Sequence, residues 1–192
     1  MIYCAGKIES FAFAKSIGVG LVESAINLTQ SVLFDKPDEI VFVGTCGSYS
    51  TAIPLLEVFE SYGASNIELS FLEDKSYTPL DNILTNLANV SRETILNPHS
   101  NATQKIVNSS NYISTDSTLA QKMLKLGIAY ENMEFFSVLK VANHFNLPAI
   151  GIFCSTNYIH KNAREEFLSN HKAAMQKLES YVKNKLDSTL GA

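Results

Sequence analysis

Arginine is nearly missing from this sequence, with Arg92 and Arg164 the only two among 192 residues. The usual bidentate clamp for a phosphate group is therefore scarce. A net charge of −4 without a basic block also disfavours a phosphate-backbone ligand such as DNA or RNA. Cysteine is sparse too: Cys4, Cys46 and Cys154 are odd in number, far apart and without metal-pair spacing, which argues against a disulfide framework and a zinc site. No run reaches the roughly 18 apolar residues of a membrane-spanning helix, and Met1 to Lys7 lack the layout of a signal peptide. The expectation is a cytoplasmic protein with no membrane partner. What is present is 46% apolar and 18% charged residues, enough for one globular domain over residues 1–192.

Strand-like and helix-like segments alternate along the chain. Phe11 to Ile17 reads as a strand and Gly18-Val19-Gly20 as a turn. Leu21 to Phe34 then places Val22, Ala25, Ile26, Thr29, Val32 and Leu33 at helical spacing, which predicts an amphipathic helix. Glu39 to Val43 is a short apolar run ending in Gly44-Thr45-Cys46-Gly47-Ser48, the pattern of a buried parallel strand delivering a glycine-bearing loop. Leu55 to Tyr62 is compatible with a helix, and Ile67 to Leu72 alternates as a half-buried strand does. Glu73 to Ser110 is rich in Asn, Ser and Thr, with a short helix expected near Leu80 to Ala88 and a ligand-covering role for the segment. Asn111 to Ser114 reads as a strand, Ser117 to Leu126 as a helix stopped by Gly127, and Met133 to Phe145 as a helix ending before Pro148. Ala149 to Cys154 is a second apolar strand opening into Ser155-Thr156-Asn157, and Ala163 to Leu186 is one long helix. The order implies an α/β three-layer sandwich with a mostly parallel central sheet, which binds ligands at the carboxyl ends of its strands.

Three polar clusters follow strand-like segments and converge in that fold: Gly44 to Ser48, Asn132-Met133-Glu134, and Ser155-Thr156-Asn157. Thr45 and Ser48 offer hydroxyls, and the glycines let a ligand approach the main chain. Glu134 heads a helix, where a carboxylate either caps the first turn or accepts hydrogen bonds from a vicinal diol such as ribose. Met133 beside it supplies polarisable apolar contact to a sugar or base. Asn157 is either a turn residue or an amide matched to a purine edge. The four histidines show no metal spacing, and Gly18-Val19-Gly20 lacks the third glycine of a dinucleotide fingerprint.

Taken in order, Ser16 to Gly20, Val43 to Ser48, Asn132-Met133-Glu134, and Asn143 to Pro148 leading to Ser155-Thr156-Asn157 resemble the nucleoside phosphorylase and nucleosidase superfamily, in particular short bacterial purine nucleoside phosphorylases. The resemblance spans Phe11 to Leu186 and implies a fold truncated at its N-terminus, without the first strand and Gly-Asp-Pro phosphate loop of longer relatives. It implies Glu134 on the ribose hydroxyls with Met133 under the sugar, Thr45 facing phosphate or water, Cys46 and Gly47 along the base, and Val19 near the ligand. Asn157 falls where many members carry aspartate, and where members specific for 6-oxopurines carry asparagine. Ser114-Thr115-Asp116 stands where relatives present a stacking phenylalanine. The function implied is phosphorolysis of a purine nucleoside by a homo-oligomer, a dimer or an assembly of dimers, with inorganic phosphate as co-substrate and no cofactor or metal. The alternatives are a nucleosidase using water in the same pocket and a non-catalytic nucleoside-binding protein.

Overall fold

Residues 1–86 and 105–190 are described by the computed structural model. Strands β1 (Ile2–Cys4) and β2 (Lys15–Ser16) lead into helix α1 (Leu21–Asp35) and the nine-residue strand β3 (Ile40–Ser48). Strands β4 (Val58–Ser61) and β5 (Gly63–Ser65), the short helix α2 (Leu69–Leu72) and strand β6 (Ile83–Thr85) follow. The second half runs β7 (Ile106–Ser109), α3 (Ser117–Lys125), β8 (Ile128–Asn132), α4 (Phe135–His144), β9 (Ala149–Tyr158) and α5 (Ala163–Leu190). Among the described residues no helix is long and apolar enough to cross a membrane.

Strand β3 is the hub of one mixed, mostly parallel sheet. On one side β9 runs parallel to it from Ile40 to Ser48. On the other side β1 pairs in parallel near its start, at Val41 and Phe42, and β8 pairs antiparallel at its end, at Gly47 and Ser48. Alternation along β3 sends successive side chains to opposite faces. Phe42 joins a core with Leu28, Val138 and Leu139 beneath α1 and α4, whereas Val43 joins Ile152, Leu178 and Val182 beneath α5. Burying each of these side chains contributes about 1.5–3 kcal/mol. The three-layer α/β expectation is met, with helices on both faces.

Several local expectations change. Strand β1 lies in a stretch where the sequence reading places no element. Leu55 to Tyr62 contributes β4, because this segment finds its hydrogen bonds by pairing antiparallel with β9. Ile67 to Leu72 is not a strand: only Ile67 is buried, and the backbone turns into α2. Ile83–Thr85 pairs with β5 as a strand where a helix was expected; the last two residues of that expected helix, and residues 87–104 of the segment expected to cover a ligand, lie outside the described residues. The strand expected at Asn111 to Ser114 is instead β7, ending at Ser109. In α1 the buried face is rotated from the apolar stripe: Ser24, Leu28, Ser31 and Val32 are buried, and Val22, Ile26 and Leu33 are exposed. The buried serines are satisfied, Ser24 Oγ by Gly20 O at 2.7 Å and Ser31 Oγ by Tyr3 Oη at 3.0 Å.

Candidate active site

The pairing of β1 with β3 carries the loop after β1 to the far end of β3. Main-chain bonds between Gly6 and Glu9 close that loop, and Glu9 reaches Thr45. One carboxylate oxygen accepts from the Thr45 N–H at 3.1 Å and the other accepts from the Thr45 hydroxyl. Each oxygen keeps acceptor capacity beyond these bonds. Glu9 was not among the residues singled out from sequence. Its one signal there is the short apolar run Ile2 to Ala5 before Gly6, the outline of a buried strand delivering a turn.

Glu134 is buried at the N-cap of α4, yet its side chain does not cap that helix. Oε1 accepts from the Gly20 N–H at 3.0 Å, at the N-terminus of α1. Oε2 accepts from Asn132 Nδ2 and from the Met133 N–H, both at 3.2 Å. Gly20 has φ +87°, a left-handed conformation that glycine adopts without the penalty a Cβ incurs. Its neighbour Leu21 gives its N–H to Asn111 Oδ1 at 2.8 Å. The N-terminus of α1, an anion site by its dipole, is thus already occupied by a protein carboxylate. Burial, reinforced by repulsion from Glu9, pushes the Glu134 carboxyl up to about 7 against the hydrogen bonds that oppose it.

The residues read as loops after the two apolar strands are strand ends. β3 continues through Ser48 and β9 through Tyr158, with a register shift: Cys46 lies opposite Ser155, but Gly47 lies opposite Asn157. Thr156 is the extra residue of this bulge, and such a bulge re-aims the side chain that follows. Thr156 Oγ1, 3.2 Å from Cys46 O and 3.0 Å from Asn157 Oδ1, shares its single proton between them. Asn157 Nδ2 donates to Tyr158 O at 3.3 Å, which leaves its second N–H for a ligand. A Cβ on Gly47 would stand 2.8 Å from Ile159 Cδ1, 3.1 Å from Asn157 Nδ2 and 3.3 Å from Glu131 Cγ, so a larger residue there requires these side chains to shift.

Alternation along β3 puts Thr45 and Gly47 on the Val43 face and turns the Cys46 thiol to the opposite face, into the core with Phe59 and Tyr130. Met133 and Val19 are partly buried at the margin of the site, and the Val19 N–H goes to Glu23 at 3.0 Å. Glu131, buried opposite Gly47, is a second residue not singled out from sequence. It accepts from the Tyr49 hydroxyl at 2.6 Å and from the Ser114 N–H at 3.0 Å, and burial raises its carboxyl. A cavity of about 730 Å³ is lined by Leu21, Tyr49, Asn108, Asn111 and Ser114 among others, and Thr45, Gly47, Met133, Glu134 and Asn157 are not among its lining residues. No cluster among the described residues has the make-up of a metal site.

The sheet brings Glu9, Thr45, Glu134 and Asn157 to its strand ends, the part of an open α/β sheet where ligands bind. The chain belongs to the phosphorylase superfamily, whose family model matches residues 2–187. Among solved structures it is similar to a mutant of the 5′-methylthioadenosine/S-adenosylhomocysteine nucleosidase of Helicobacter pylori with 5′-methylthioadenosine in the active site, at 14% identity, TM-score 0.77 and 97% coverage of each chain. A mutant futalosine hydrolase of the same organism matches with the same values. The nucleosidase of Colwellia psychrerythraea in complex with adenine matches at 13% identity and TM-score 0.73, over 97% of this chain and 93% of that one. No curated protein sequence matches.

The expectation of phosphorolysis is corrected by these comparisons, because the similar structures are nucleosidases and a hydrolase. Glu9 stands at Thr45, where the resemblance put phosphate or water, and takes both its N–H and its hydroxyl.

Proposed function

We propose that the protein is a nucleosidase, cleaving the N-glycosidic bond of a purine nucleoside with water to give free base and free sugar. The observation that carries this reading is the Glu9 carboxylate held by both the N–H and the hydroxyl of Thr45 beside Glu134. In this reading Glu9 takes a proton from the attacking water, which Thr45 helps to position. Glu134 accepts from a ribose hydroxyl and, when ionised, stabilises the positive charge that builds on the sugar as the bond breaks. Asn157 donates its free N–H to the purine edge. A 6-oxopurine offers acceptors at both N7 and O6, so inosine and guanosine suit this amide better than adenosine does. The reaction requires water alone as its second reactant.

The test is incubation with inosine, guanosine, adenosine and 5′-methylthioadenosine, with and without phosphate, following base by chromatography. Base release at equal rates in both conditions, with free ribose as the other product, is expected. Release that requires phosphate overturns the reading, as does binding without release.

A further inference from the structure

Helix α1 is inverted relative to its own sequence. An apolar stripe at helical spacing ordinarily faces the core, but the core-facing side of α1 carries Ser24, Leu28, Ser31 and Val32. Val22, Ile26, Leu33 and Phe34 are each more than half exposed. We propose that a second copy of this chain seats on this face of α1, forming a two-fold symmetric dimer. The inference is independent of the reaction proposed above.

Three observations carry it, and the first is spacing. Val22, Ile26, Thr29 and Leu33 follow one another at intervals of four, three and four residues. That alternation is what lets the side chains of one helix insert between those of another. The row runs along the side of α1 turned away from its buried face, and Phe34 flanks it at the C-terminal end.

The second is area. Val22, Ile26, Leu33 and Phe34 alone leave on the order of 500 Å² open to water, near the top of the range for the largest apolar patch on a monomer. With Ala25, Thr29 and Gln30 beside them, the face approaches the roughly 800 Å² that each partner buries in a standard interface.

The third is charge. Helix α1 contains no lysine or arginine, and its two acids are engaged within the chain, Glu23 by the Val19 N–H at 3.0 Å and Asp35 by Lys15 and Ser31. A helix that lies on a membrane surface carries basic side chains on its polar face. A charged partner protein is matched by opposite charge, which this face does not offer. A second copy leaves no charge unpaired, because a two-fold axis sets the same patch against itself. The row begins at Val22, two residues beyond the Gly20 N–H that holds Glu134, so the interface adjoins the candidate active site.

The experiment is sedimentation velocity of the full chain at micromolar concentrations. A species of twice the 21.1 kDa chain mass is expected. Replacing both Ile26→Lys and Leu33→Lys should weaken self-association at least about 100-fold with an unchanged circular dichroism spectrum, since both side chains are exposed in the single chain. Leu168→Lys, at an exposed position of α5, should leave the dimer intact. A second measurement locates the face without relying on a disruptive change. Cys4, Cys46 and Cys154 are buried, so Ile26→Cys and Leu168→Cys each introduce one exposed thiol. In the dimer the thiol at position 26 should react with a maleimide at least about tenfold more slowly than the thiol at position 168. A monomeric wild type would mean that something other than a second copy covers this face, and overturns the proposal. A dimer that survives the double lysine variant, or equal labelling of the two thiols in the dimer, places the interface elsewhere and overturns it too.

Discussion

Glu134 heads one helix and gives its carboxylate to another, its Oε1 accepting from Gly20 N–H at 3.0 Å across 114 residues of sequence. The contact draws the N-termini of α1 and α4 together, and Ser137 Oγ donating to Leu21 O at 2.7 Å reinforces it. It also fixes a buried charge whose protonation falls near neutral pH.

That charge sets a pH dependence. With the Glu134 carboxyl at about 7 in the folded protein and near 4.5 unfolded, the folded state holds the proton more tightly, so its stabilising effect is complete below pH 4.5 and is lost as pH rises through 7. The shift corresponds to about 3 kcal/mol. Denaturant unfolding should show the wild type losing up to about that much relative to Glu134→Gln between pH 4.5 and pH 8. Activity should run the other way, with kcat/KM falling about tenfold per pH unit below 7 as the ionised form disappears. A stability difference that does not vary with pH would remove the buried titration from the account.

The acceptor inventory at Glu134 leads to a second expectation. A carboxylate has roughly four acceptor positions, and Gly20, Asn132 and Met133 fill three of them. One ribose hydroxyl can therefore bind without displacing a protein partner. Comparing 2′-deoxyinosine with 3′-deoxyinosine should show one analogue losing about 1.5–3 kcal/mol in kcat/KM, the value of a hydrogen bond to a charged group, and the other losing little. Equal, large losses from both would mean that Glu134 releases a partner to grip the diol.

Gly47→Ala tests the packing over β3. The new methyl would meet Ile159 Cδ1 at 2.8 Å and crowd Asn157. A stability loss of about 1–3 kcal/mol and a raised KM are expected. Ile159→Val, which removes the nearest atom, should recover part of the stability in the double variant. A Gly47→Ala protein as stable as wild type would show that this contact relaxes freely.

Asn157→Asp alters base choice. The carboxyl can still accept from Thr156 Oγ1, but the free N–H aimed at the purine becomes an acceptor or a titratable O–H. The ratio of adenosine to inosine turnover should rise, and an unchanged ratio would detach residue 157 from base selection.

How these groups would have been found from sequence differs from one to the next. The apolar runs Ile40 to Val43 and Ala149 to Cys154 announce the two central strands, and Met133-Glu134 at a helix start announces the buried carboxylate, because each is a local pattern. The polar strand ends read as loops, since glycines, serines and threonines usually mark turns. Here pairing with β8 and with each other satisfies their main chain. Glu9 depends on the pairing of β1 with β3, which brings it to Thr45 across 36 residues and leaves no local periodicity. Glu131 reads as one polar position in a short apolar segment, and only the antiparallel register with Gly47 brings it to the site.

The central claim is that Glu9 activates water. Hydrolysis of inosine in ¹⁸O-enriched water containing phosphate, with the sugar product analysed by mass spectrometry, tests it most directly. Free ribose carrying one ¹⁸O at C1, formed by the wild type and reduced about 100-fold or more in Glu9→Gln, is the predicted result. Ribose 1-phosphate as the product, or ¹⁸O-ribose formed equally well by Glu9→Gln, would contradict it.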